Sequence, residues 1–201
     1  MFDVSQVLKL QEETVALWHH QPIENSYDGI MGLICTQHRF NFELWHQEDI
    51  ARSPDVEDSE IAKVKRAIDR LNQARNDHIE KIDDWLSAEI ERRGIICSEN
   101  ARLRTETPGS VVDRLSIMAL RLYHYREQLE REDVDDSHRQ KVQQRTSLCL
   151  EQRQDLSQSL RELLEDIAGG VCRHKTYRQM KMYNDPSLNP AIYQSKSSNG
   201  S

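Results

Sequence analysis

The sequence predicts an all-α fold: a single elongated antiparallel bundle of about five helices, built round one long central helix. Three observations predict it. The stretch Ile61–Arg93 contains neither Gly nor Pro, and Ile61, Val64, Ile68, Leu71, Ile79, Ile82, Leu86 and Ile90 recur along it at spacings of three and four. Only Arg75 interrupts this stripe. The period is helical, not extended, and 1.5 Å per residue makes the element on the order of 50 Å long. The second observation is the balance of 37% hydrophobic against 30% charged residues, which suits helices that each bury only a stripe. The third is that no apolar/polar alternation defines a strand.

The elements follow in chain order. Asp3 to His20 carries Val4, Val7, Leu8, Val15 and Trp18 at helical spacing, and Gln21-Pro22 ends it. Ser26 or Asp28 is placed to cap a second helix, weakened at its start by Gly29 and Gly32 and continuing to Arg52. Ser53-Pro54-Asp55 breaks the chain, with Ser53 or Ser59 as the cap of the central helix. Arg92, Arg93 and Gly94 close it, cations in the last turn and Gly just beyond. Residues from about Ile95 to Thr107 read as irregular. Ser110-Val-Val-Asp113 resembles a capping box for a fourth helix that ends near Glu132. Asp133–Ser137 reads as a turn and cap. The fifth helix carries Leu156, Leu160, Leu163, Leu164 and Ile167 and stops at Gly169-Gly170. Val171–Met182 reads as a shorter basic helix. From Tyr183, two prolines in NDPSLNPAIY predict a segment lying extended across the bundle. The organisation expected is one helical domain over 1–193 and a disordered tail over 194–201.

A net charge of −7 argues against a nucleic-acid binder, which shows a basic face. No apolar run is long enough to span a bilayer and none follows a basic N-terminus, so membrane insertion is not expected and the chain reads as cytoplasmic. Cys35, Cys97, Cys149 and Cys172 form no Cys-x-x-Cys pair and read as isolated thiols in a reducing compartment. Glu43-x-x-His46 has the spacing of half a di-metal carboxylate site, but no second pair accompanies it, and no metal or other cofactor is expected.

A polar stripe runs beside the apolar one on the central helix: Lys65, Asp69, Asn72, Asn76, Glu80 and Asp83. On the second helix Ile30, Ile34, His38, Asn41, Trp45, Glu48 and Arg52 share a stripe. A hairpin turning near residue 56 opposes Glu48 to Lys65, Trp45 to Ile68, Asn41 to Asn72, and His38 to Arg75 or Asn76. The seam is therefore either a buried network that fixes register or a cleft holding a polar ligand. Asn41, Asn72 and Asn76 favour the cleft, because Asn is a poor helix former and a weak solubiliser. Asp113-Arg114, at a helix start, suits an anion.

Four segments, NFELWHQEDIAR, KRAIDRLNQARNDHIEKID, ETPGSVVDRLSI and KMYNDPSLNPAIY, together resemble domain-of-unknown-function family 4254 from the first helix to about Tyr193. The resemblance implies a bacterial protein whose relatives are encoded near genes for cell-envelope polysaccharides and glycosyltransferases, an association without a mechanism. The segments contain Asn41, His46, Glu48, Asp49, Arg66, Asp69, Asn72, Arg75, Asn76, Asp77, Asp113, Arg114, Tyr183, Asn184 and Asp185. The first expectation is a cleft binding, or acting on, a small polar anionic metabolite. Arg75 and Arg114 would hold the anion, His38, Asn41, Asn72, Asn76, Asp113, Asn184 and Asp185 would line it, and Glu48 or Asp69 would move a proton. The alternative is a non-enzymatic adaptor that meets a glycosyltransferase or a second copy of itself through an exposed apolar patch.

Overall fold

A computed structural model describes residues 1–180, 182 and 185–190. Five helices carry the chain: α1 (Val4–Trp18), α2 (Gly29–Arg52), α3 (Asp58–Arg92), α4 (Pro108–Glu130) and α5 (Asp136–Ala168). The all-α class and the long central helix are therefore as the periodicity requires. The 35 residues of α3 span about 52 Å. Short breaks pair α2 with α3 and α4 with α5 as hairpins, and α1 packs across α2 and α4. One core draws on every helix: Val7 and Leu10, Ile34, Ile82 and Leu86, Val112 and Leu115, Leu160 and Ile167. A smaller core of Leu44, Val64 and Ile68 closes the α2–α3 hairpin near its turn.

Local chemistry accounts for the helix ends, with several departures from the sequence expectations. Asp28 and Glu57 occupy the N-cap positions of α2 and α3 but make no capping side-chain bond. Ser53 and Ser59 therefore do not cap α3, whose start relies instead on Asp58 and Glu60 beside its dipole. The capping box of α4 lies one turn earlier than Ser110–Asp113. Thr107 and Ser110 satisfy one another, with Pro108 in the first turn. Asp135 caps α5 by accepting from His138 N–H at 2.8 Å.

The segment after α5 is not the basic helix its composition suggests. Its backbone is spent elsewhere: Arg102–Leu103 (β1) and Cys172–Arg173 (β2) form a short parallel ladder, a strand pairing with no counterpart in the sequence pattern. Beyond β2, His174 Nε2 lies 2.9 Å from the Asp83 carbonyl, and Arg178 bridges Glu80 and Asp84 of α3 at 3.0 and 2.8 Å. Gly170 makes this return possible. It has φ +68°, and a Cβ there would stand 2.4 Å from the Ile96 carbonyl oxygen. Asp185 heads a tight turn, accepting from Ser187 N–H at 2.8 Å, where an extended run was expected. Tyr183, Asn184 and the 194–201 tail lie outside the described residues.

Candidate functional site

The seam is three-sided. Periodicity pairs α2 with α3, but the polar groups of α2 turn towards α4, where Asp113 stands at the centre. Its placement begins at the start of that helix. Asp83, buried on α3, accepts from Gly109 N–H at 2.8 Å, and burial raises its carboxyl above the usual range. A Cβ on Gly109 would sit 2.6 Å from the Ile79 carbonyl oxygen, so the first turn of α4 presses directly on α3. The first-turn N–H groups are thereby taken by Asp83 and Thr107, and no anion site is left at this helix start.

One turn further, Asp113 points inward. Its Oδ1 accepts from Gln37 Nε2 at 2.6 Å, Asn41 Nδ2 at 2.9 Å and Arg75 Nε at 2.7 Å. Its Oδ2 accepts from Arg75 Nη2. The pair is a two-pronged guanidinium–carboxylate fork, the strong form of this contact. It holds the arginine charged, since the Asp113 hydrogen bond raises the Arg75 pKa still further. Asn41 Nδ2 also donates to Ser116 Oγ at 2.9 Å, and His38 Nδ1 lies 2.7 Å from the same hydroxyl. His38 is fully buried and stacks on Trp18 at 5.3 Å. Burial pushes its pKa down to about 3, partly offset by the Gln11 main chain. The imidazole is therefore neutral in the core.

The outer side of this layer is open. Asn41, Leu44, Trp45, Glu48, Asp49 and Arg52 of α2, Asn72 and Arg75 of α3, and Ile117, Leu120 and Arg121 of α4 line a cleft of about 500 Å³. Arg75 is a quarter exposed, at 24%, against 6% for Asp113. The carboxylate is thus inside and the guanidinium forms wall. Among the described residues Arg75 Nη1, Asn72 and Arg121 make no hydrogen bond or ion pair, whereas Glu48 is held by Arg52 at 2.7 Å. A clamped cation, an uncommitted amide and a second arginine therefore face one solvent-open space, with Trp45 and Leu120 as its apolar side.

The remaining residues expected at the site are distributed differently. His38 and Asp113 lie behind the cleft wall, not on it. Asn76 is half-buried and outside the lining. Asp69 is exposed and paired with Lys65. Arg114 is exposed and paired with Glu106, because it lies one residue, about 100° round the helix, from the inward-facing Asp113. Asp185 binds its own turn. Gln37, Ser116 and Arg121 were not anticipated; Ser116 stands three residues after Asp113 on one helical face, the only signal that would have shown it. Among the described residues no group of three or more His, Cys, Asp and Glu has its donors gathered to hold a metal ion, and no helix is long and apolar enough to cross a membrane.

The profile of a family described as "Protein of unknown function (DUF4254)" matches residues 31–176. No curated protein and no solved structure matches the chain.

Proposed function

The chain belongs to the DUF4254 family, and from that premise we propose that it binds a small, polar, anionic metabolite in the cleft between α2, α3 and α4. The observation that carries the proposal is the Asp113–Arg75 fork. A buried carboxylate and two buried amides are spent on fixing one guanidinium at the wall of an open cleft, and preorganisation of that kind lowers the cost of binding an anion. Arg75 and Arg121 hold the anionic group, Asn72 and Asn41 read its polar substituents, and Trp45 supplies a flat apolar face. Glu48 is the carboxylate within reach for proton transfer once Arg52 releases it; Asp69 and Arg114 fall outside this reading. The resemblance stated above suggests cell-envelope polysaccharide synthesis as the setting.

A stability screen with phosphorylated sugars and sugar nucleotides tests the proposal on the wild-type chain and on Asn72→Ala. A stabilising compound whose effect disappears in Asn72→Ala supports the cleft. Stabilisation untouched by that change, or none across the series, removes it. The adaptor reading rests on different ground: Ile96, Leu103 and Val171 are exposed around the β1–β2 ladder, Ile96 at 88%. Association through that face would survive Asn72→Ala and fail in Ile96→Glu.

A further inference from the structure

The cleft does not end at α4. Arg121, on its α4 side, also lines a second hollow of about 250 Å³, together with Tyr125 of α4 and Arg145, Leu148, Cys149 and Gln152 of α5. The two spaces are therefore neighbours across one helical ridge. Helical spacing puts Arg121 and Tyr125 on one face of α4, and Arg145, Cys149 and Gln152 on one face of α5. The register of the α4–α5 hairpin is fixed beneath them, where buried Cys149 Sγ lies 3.4 Å from Met118 Sδ. The helices run antiparallel, so the step forward from Met118 to Arg121 matches the step back from Cys149 to Arg145. The two arginines stand level beside the hollow.

Its composition makes the hollow electropositive. No carboxylate lines it, and among the described residues neither Arg121 nor Arg145 makes a hydrogen bond or ion pair. Acceptors are not scarce: the chain carries a net charge of −7, and Arg126 and Arg153 on the same two helices both reach Glu12. One unpaired surface arginine needs no explanation. Two held level beside one hollow repel each other, and an anion between them removes that repulsion. Tyr125 and Gln152 add a hydroxyl and an amide as neutral donors. Across the ridge stands Arg75, clamped by Asp113 and lining the cleft. Arg75, Arg121 and Arg145 thus form a series of cations from α3 over α4 to α5.

Resting on the reading of the cleft given above, we propose that its ligand is a diphosphate ester. One phosphate lies between Arg75 and Arg121 within the cleft, and the other crosses the α4 ridge to Arg121 and Arg145. Arg121 serves both, because a guanidinium presents a planar fork of N–H donors that contacts neighbouring phosphates at once. The esterified organic group stays in the cleft beside Trp45, Asn41 and Asn72. A monophosphate fills only the cleft end of this series and leaves Arg145 unused.

The test is calorimetric titration of the full chain with inorganic phosphate and with pyrophosphate, at fixed ionic strength in a phosphate-free buffer. The expected result is that pyrophosphate binds the wild type at least about tenfold more tightly than phosphate, the contribution of one further charge-assisted contact. Arg145→Gln should remove that gain and leave phosphate affinity unchanged. Arg145 is exposed, so its replacement leaves the helix packing intact. Arg70, an exposed arginine that lines neither space, is the control: Arg70→Gln removes the same charge elsewhere and should alter neither affinity. Pyrophosphate binding no tighter than phosphate, or a loss in Arg145→Gln matched by Arg70→Gln, overturns the diphosphate assignment. Phosphate binding that still disappears in Asn72→Ala would then leave the cleft reading in place. Binding of neither anion also overturns the assignment, and the phosphorylated-sugar screen above decides the cleft separately.

Discussion

Replacing Asp113 by alanine is expected to cost about 3–5 kcal/mol, the usual penalty for stripping one partner from a buried ion pair. The structure supplies reasons for both ends of that range. Asp113 accepts from Gln37, Asn41 and twice from Arg75, and Gln37 is fully buried, so its orphaned amide alone costs about 1–3 kcal/mol. Arg75, by contrast, is 24% exposed through the cleft, and water there softens the loss of its counter-charge. Arg75→Leu is expected to cost less, about 2–3 kcal/mol, because Gln37 and Asn41 still donate to Asp113. The double variant should then be less damaging than the two single changes added together, by at least about 1.5 kcal/mol. Equilibrium urea unfolding at neutral pH, followed by circular dichroism, measures all four corners of the cycle. A cost below about 1 kcal/mol for Asp113→Ala, or strict additivity, would refute the view that this fork organises the seam.

Other outcomes follow from single contacts. His38 is held neutral with its pKa at about 3 against an ordinary 6.5. Its stabilising contribution is therefore complete above pH 6.5 and is lost as pH falls from there towards 3. The loss runs at about 1.4 kcal/mol per pH unit, so unfolding free energies between pH 6 and 4 should fall less steeply in His38→Gln than in the wild type. Gly170→Ala meets both a left-handed φ and the Ile96 carbonyl at 2.4 Å; a loss of about 2 kcal/mol or more is expected, and a melting temperature unchanged within error would show that the β1–β2 return is dispensable. Thr107→Ala removes the acceptor for Ser110 N–H and should cost about 1 kcal/mol, read from the same urea curves.

The helices themselves were legible because their signals are local. Gln21-Pro22, Ser53-Pro54-Asp55, Arg93-Gly94 and Gly169-Gly170 punctuate the chain, and the stripe Val64, Ile68, Ile82, Leu86 is buried on α3. Ser110 and Asp113 have capping spacing, yet Thr107 and Pro108 mark the first turn of α4. Starting the helix about one turn earlier keeps the same face but places Asp113 inside the helix, free to meet Gln37, Asn41 and Arg75 instead of capping, while Arg114 stands about 100° round the helix on the surface. The wider reason is that a period tells which residues share a face and not which helix that face meets. Asn41 and His38 were rightly seen to share a stripe, yet their partners Asp113 and Ser116 lie 72 and 78 residues away on α4. The same limit hid the hollow that Arg121 and Arg145 share between α4 and α5, which no spacing along one helix reveals.

Arg75, Asn72 and Arg121 line the cleft, and on the proposed reading they hold an anionic ligand there. A thermal-shift series against phosphorylated sugars and sugar nucleotides, on wild type, Asn72→Ala and Arg121→Gln, tests that reading. A compound present at one hundred times its dissociation constant should stabilise the wild type by about 2.7 kcal/mol, with the shift lost in both variants while their unliganded melting temperatures stay close to the wild type. No stabilising compound, or a shift that persists in both variants, would contradict the claim and leave the seam as a network that only fixes how α2, α3 and α4 pack.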